Sequence, residues 1–234
     1  MVMCCKDDRE IVGRYRLHWS FNAPPLTIYL LVDKLWAMDD RVRSNEVAQE
    51  ILDLAQNLFQ ERGYNSFSYR DLSKQVGIKT SSIHYYFPTK GDLARALVLR
   101  YREHFKQAFS KIDTQSNDPG GKLELYLQLF IDGFRSCRRV CLCSMLASDF
   151  VNLPEGVQEE VKGLFSDNEA WIARVLEEGR KSGVFDFKGS PERMARMIFS
   201  ALEGSTISAR IFENEHRLSF TSDWIMRMLQ PKSQ

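Results

Sequence analysis

Between Ser68 and Asp92 the chain carries two Ser/Thr-x-x-Asp boxes, Ser68-Tyr69-Arg70-Asp71 and Thr89-Lys90-Gly91-Asp92, with a lone glycine, Gly77, between them. Each box is a helix start: the hydroxyl accepts from an amide in the first turn, and the aspartate reaches back to the cap. Gly77 lies where two short helices must turn sharply, with Ile78 plugging the corner, and Phe87-Pro88 breaks the second helix. Upstream, Val47, Ile51, Leu54, Ala55, Leu58 and Phe59 recur at helical spacing until Gly63, a residue free to cap the helix with positive φ. The local signals therefore predict a helix, a short helix carrying Leu72 and Val76, a tight turn, and a second short helix from about Thr80 to Tyr86. A long helix then sets off through Leu93, Leu97 and Tyr101.

Helix, short helix, glycine turn and short polar-faced helix make a helix-turn-helix pattern, whose last member enters the DNA major groove. In that last helix only Ile83 and one side of Tyr85-Tyr86-Phe87 look committed to a core. Thr80, Ser81 and Ser82 are small hydroxyl residues that let a backbone come close to base edges. The formal net charge of the chain is only +1, so a DNA contact must rest on a local patch. From Asp39 to Phe67 three basic residues face six acidic ones, a net of −3. From Ser68 to Lys90 four basic residues (Arg70, Lys74, Lys79, Lys90) face one acidic (Asp71), a net of +3. Lys90 in a first helical turn opposes the macrodipole, which suits either a phosphate ligand or a solvated surface lysine.

The run from Ile51 to Leu97 resembles the signature of the TetR family of transcriptional regulators, most specifically Ser82-Ile83-His84-Tyr85-Tyr86-Phe87-Pro88-Thr89-Lys90-Gly91-Asp92-Leu93. The resemblance implies a symmetric dimer that binds an operator palindrome and releases it when a small ligand enters the C-terminal domain. By position it implies base contacts for Thr80 and Ser81, and phosphate-backbone contacts for Tyr85 and Lys90. His84 stands where the family most often has tyrosine, so base reading and plain exposure both remain open. Lys79 replaces a small polar residue and would add a phosphate contact. Arg70 and Ser82 complete the candidate DNA-binding set.

The back half predicts more helices and no strand alternation. Asp118-Pro119 opens a helix striped by Leu123, Leu127, Phe130, Ile131 and Phe134. A short apolar segment, Val140 to Val151, leads to a long helix ending near Gly183, then to one opening at Ser190-Pro191 and a last one over roughly Phe220 to Leu229. The expected fold is all-α: an N-terminal three-helix DNA-binding domain over 38–88 and a helical ligand-binding and dimerisation bundle over 89–234. Residues 1–37 lack any sustained period, and Met38 reads as the natural start; a genuine packed extension is the alternative. A mostly apolar set (Phe130, Phe134, Cys141, Met145, Phe150, Trp171, Val175) is the candidate effector pocket, favouring an apolar or aromatic effector. Small residues Ala201, Gly204, Ser205 and Ser208 beside Met197, Phe212, Trp224 and Met228 mark the candidate homodimer interface, or else complete the monomer core.

Cys137, Cys141 and Cys143 form a cluster near Arg135, Arg138 and Arg139. They read as buried small hydrophobes, as redox or electrophile sensors in an alternative thiol-based regulator, or as metal ligands. The five cysteines, in two tight groups, make a poor disulfide framework and fit a reducing cytoplasm. The apolar run Leu26–Val32 is too short to span a bilayer. The chain lacks a glycine-rich phosphate loop, a G-x-S-x-G elbow and an H-E-x-x-H pair, so no enzyme, cofactor or metal centre is expected. A nucleoid-type architectural protein would be strongly basic, and this chain is not.

Overall fold

The computed structural model describes residues 46–231. The expectations for residues 1–37 and for Met38 as the start lie outside the described residues. Among the described residues all regular structure is helical. Helix α1 covers 46–62 and ends at Gly63, which adopts φ +81° and donates its amide to the Phe59 carbonyl at 2.9 Å. Then come α2 (Tyr69–Val76), α3 (Thr80–Tyr86), α4 (Lys90–Gln115) and α5 (Pro119–Cys137). They are followed by α6 (Leu142–Ala147), a 3-10 turn (Phe150–Asn152), α7 (Glu155–Ser182), α8 (Pro191–Ile211) and α9 (His216–Leu229).

The local signals act as physical chemistry requires. Both capping boxes close, Ser68 with Asp71 and Thr89 with Asp92. Gly77 takes φ +76° between α2 and α3, and Asp118 caps the amide of Gly121 at 2.8 Å ahead of α5. Helix α9 begins earlier than Phe220. Leu218 extends the buried stripe Leu218, Ser222, Ile225 and Leu229 by a turn, and Asn214 Oδ1 accepts from the His216 amide at 3.0 Å.

Helix α4 carries one buried stripe (Leu93, Leu97, Tyr101, Phe105, Phe109, Ile112) through both ends of the molecule. Its first turns pack with the front helices, where Arg100 pairs with Asp53 of α1 at 2.7 Å. Farther along it lies against α7, where Arg102 bridges Glu160 and Asp167 at 2.6 and 2.9 Å. Helix α7 packs on α8 and α8 on α9, with α5 against α7. Among the described residues no helix is long and apolar enough to cross a membrane.

The end of α7 depends on one close approach. After Gly183 the chain folds back and lays Phe185 against Gly179, where a Cβ would stand 2.1 Å from Phe185 Cδ2. Gly179→Ala gains about 1 kcal/mol of helix propensity but forces a buried ring to move. Overpacking costs about 1–3 kcal/mol, so we expect a net loss of up to about 2 kcal/mol after the propensity gain, read as a lower urea midpoint. An unchanged midpoint would show that Phe185 shifts freely.

Candidate functional site

Ile83 of α3 and Leu72 of α2 are fully buried, which turns the opposite side of α3 to solvent. Tyr69 locks the exit of α3. Its hydroxyl sits 2.9 Å from the Phe87 carbonyl and 2.6 Å from the Thr89 carbonyl, where α3 hands over to α4. Burial, then the nearby Asp92 charge, raises the Tyr69 pKa above the ordinary tyrosine value, so the hydroxyl stays a donor.

On the solvent side, Tyr85 is 79% exposed and lies edge-on to Tyr86 at 5.1 Å. Arg70, Lys79, Ser81 and His84 are exposed and Ser82 is half-buried. Lys74 and Gln75 of α2, outside the candidate set, are exposed as well. Thr80 is half-buried and donates to Ser73 Oγ at 3.3 Å, tying α3 to α2. His84 keeps a solvent-facing edge, but Nδ1 lies 3.0 Å from the Pro88 carbonyl and its ring packs 4.7 Å from that of Tyr69. In the protonated-Nδ1 tautomer that contact is a hydrogen bond, leaving Nε2 outward.

Lys90 departs from the expectation of a phosphate-seeking cation. Its ammonium turns inward, donates to the Phe67 carbonyl and sits 4.1 Å from the Phe67 ring centroid and 5.1 Å from that of Tyr64. Partial burial lowers its pKa from the ordinary lysine value. The aromatic pocket at the α1–α2 corner, open to a long side chain arriving from α4, explains the turn. Sequence reasoning had no view of that pocket, because its rings come together only after α1 and α4 pack.

The candidate pocket residues do not form one site. Phe130, Phe134 and Cys141 line a cavity of about 20 Å³ together with Gln60, Tyr101 and Thr206; Cys137 and Arg139 complete its rim. That space holds about one water. Trp171 instead stacks on Phe109 at 5.0 Å and donates to Asp113 at 3.3 Å, with Val175 buried on the same helix. Tyr101 and Phe109 are two turns apart on α4, about 12 Å at 1.5 Å per residue, so Trp171 and Val175 serve a different level of the core. Phe150 packs under the Lys162 ammonium (5.6 Å), and Met145 Sδ faces Arg210 at 3.8 Å.

Behind Tyr101 and Cys141 lies a carboxyl that sequence reasoning missed. Glu203 of α8 is only 6% exposed; Ser144 donates to its Oε2, while Oε1 has no partner among the described residues. Burial and the adjacent Cys141 raise its pKa well above the usual carboxylate range. Cys141 and Cys143 are both buried. The Cys143 thiol, and then the amides of Ser144 and Cys143, lower the Cys141 pKa, while the Cys141 contact and burial raise that of Cys143. A glutamate in register with Phe199 and Thr206, i+4 and i+7 along the inward stripe, was the available sequence signal. Among the described residues no three His, Cys, Asp or Glu side chains are grouped to hold a metal ion.

The cavity adjoins the joint between the front helices and the bundle. Arg210 of α8 donates to the carbonyls of Gln60 and Glu61 at 2.9 and 3.2 Å, capping the end of α1. Gln60 donates to the Val140 carbonyl at 3.0 Å, and Arg139 pairs with Glu61 at 2.7 Å. These α1 carbonyls lack intrahelical partners, and a cation there also complements the helix dipole.

The other solvent-facing apolar area lies on α8 and α9. Met197, Phe212, Trp224 and Met228 are 40–60% exposed, joined by Ile207, Ile211 and Phe220. Between the helices runs a groove of about 590 Å³ lined by Ala201, Gly204, Ser205, Ser208 and Phe220. Ser205 is itself buried, donating to the Leu202 carbonyl at 2.9 Å, so it serves the monomer more than the surface.

A helix-turn-helix head with its reading helix exposed, joined to a helical bundle, defines a two-part DNA-binding regulator. Residues 51–97 match the family model described as bacterial regulatory proteins, tetR family. A TetR-family transcriptional regulator from Agrobacterium tumefaciens is 30% identical and superposes with a TM-score of 0.78, covering 80% of this chain and 100% of that one. A TetR transcriptional regulator from Legionella pneumophila is 31% identical, with a TM-score of 0.71 over 77% of this chain and 96% of that one. The transcriptional regulator AcuR of Cereibacter sphaeroides is 22% identical over 64% of this chain and 70% of its own length. The chain belongs to the TetR family, and it is a ligand-responsive, DNA-binding transcriptional regulator rather than an enzyme.

Proposed function

We propose that the chain acts in the cytoplasm as a homodimeric repressor that grips a palindromic operator and lets go when a small effector enters the bundle. The observation that carries this reading is the exposed face of α3, with Lys79, Ser81, His84 and Tyr85 outward over a locked, buried Ile83. In the proposed complex Ser81, Ser82 and Tyr85 meet the groove and its edges. Arg70 and Lys79 meet phosphates, Thr80 orients α3 through Ser73, and Lys90 braces the head from inside. Two heads on one duplex need reading helices roughly 34–36 Å apart, or a multiple. The α8–α9 face is the proposed dimer contact, and a domain boundary at 88/89 assigns all of α4 to the bundle unit, with its first turns packed against the head.

The test is a titration against the DNA upstream of the protein's own gene at several salt concentrations. Lys79→Gln is expected to lower the slope of log K against log salt by about 1, as loss of one phosphate contact does. Lys90→Gln is expected to leave the slope unchanged while lowering Tm. A slope change with Lys90→Gln would return that lysine to the phosphate backbone. If no upstream fragment binds better than random DNA, the autoregulatory repressor reading fails.

A further inference from the structure

We propose that the effector is a small organic amine, held as its ammonium against Glu203 Oε1 in a site formed by opening the cavity at Tyr101, Phe130, Cys141 and Thr206. The inference rests on the ligand-responsive reading of the bundle and names the chemistry of its ligand.

A buried carboxyl with one oxygen unpartnered destabilises the unliganded protein, since that oxygen has given up water and received nothing. An apolar side chain would fill the same space without that cost. A ligand that donates to Oε1 recovers it on binding, so the carboxyl favours the occupied state.

The surroundings select the donor. Ser144 donates to the carboxyl, and Tyr101 of α4, Cys141 and Cys143 at the start of α6 and Tyr126 of α5 lie near enough to feel its charge. None of these is cationic. The cations nearby are already paired: Arg102, acting on Cys143, is held by Glu160 and Asp167, and Arg139, on the cavity lining, pairs with Glu61. Tyr126 spends its hydroxyl on Asn168 at 2.9 Å. An incoming ammonium therefore meets a carboxyl whose neighbouring cations have their own counter-charges. Phe130, on the cavity lining, supplies an aromatic ring for the cation and apolar area for its carbon body.

The cavity is too small for such a ligand as it stands, and Glu203 is not on its lining; Cys141, which lines the cavity and adjoins the carboxyl, must move aside to join the two. Part of its wall is the α5–α6 connection, where Arg138 takes φ +51° and α6 has no side-chain cap. That connection holds α1 through Val140 and Arg139. Opening the cavity therefore pulls on the joint to the DNA-binding head, which gives the amine a route to operator release. As the ammonium pairs, any proton on Glu203 passes to solvent.

The full-length protein is titrated by calorimetry with benzylamine, phenethylamine and cyclohexylmethylamine, each beside the matching alcohol, and the same samples are tested for operator binding. The wild type is expected to bind at least one amine at least tenfold tighter than its alcohol, and the operator complex to weaken with that amine. Glu203→Gln is expected to fold with an equal or higher Tm and to lose at least tenfold in amine affinity. The proposal is overturned if amine and alcohol bind alike, if neither binds, or if Glu203→Gln binds the amine as wild type does. The wild-type comparison decides alone should the variant not fold. Operator binding without amine selectivity sinks only this inference, whereas amine binding without any operator binding sinks the repressor reading.

Discussion

Ile211→Glu combined with Trp224→Glu is expected to leave a folded monomer whose operator affinity is about 10²–10⁴-fold weaker than that of the dimer. Both side chains are more than half exposed in the single chain, at 70% and 55%, so charging them disturbs little of the monomer core. Their value lies in association: a partner's α8 and α9 would cover them, and a carboxylate in that contact would be desolvated without a counter-charge. Joining two heads makes the second half-site contact intramolecular, and that gain disappears with the partner. Sedimentation, Tm and operator titration on the same samples check the result. A monomer with wild-type affinity would overturn the dimer reading, and an unaltered dimer would move the interface off this face.

Tyr69→Phe is the second large effect. It removes one oxygen that serves the two carbonyls at the α3–α4 junction. The Phe87 carbonyl then loses its donor, while the Thr89 carbonyl keeps the Leu93 amide at 3.1 Å; the cost is about 1–3 kcal/mol, or a Tm lower by roughly 2–12 °C for a chain of this size. Because the junction sets the direction of α3, operator affinity should fall by roughly tenfold, about 1.4 kcal/mol. The salt slope should stay as it was, since no phosphate contact is lost. A fall in Tm with unchanged operator affinity would show that α3 is held by Ile83 alone.

The sequence was informative wherever the cause of structure is local. Ser68 with Asp71, Thr89 with Asp92, Gly63 and Gly77 act within a few residues of themselves, and each does in the fold what its neighbours require. The helical stripe of α4 was equally plain. What could not be read is the height at which elements meet. Trp171 and Phe130 are both apolar and helical, yet one stacks on Phe109 and the other reaches the cavity beside Tyr101. Lys90 looked outward because the rings of Phe67 and Tyr64 become a pocket only through tertiary packing. Arg210 reaches the end of α1 across 150 positions of sequence. Glu203 was hidden among the small residues of α8, although its register with Phe199 and Thr206 already placed it inward.

In the proposed amine site, the one-water cavity also sets how sensitive the switch can be. A site that is closed at rest gives every ligand an apparent affinity equal to its intrinsic affinity scaled by the fraction of molecules open. Responsiveness is then tuned by anything that changes the open population, including substitutions that never touch the ligand. Loosening the grip of Arg139 or Gln60 on the joint would sensitise the regulator to scarce signals, and tightening it would make the same pocket deaf to all but abundant ones.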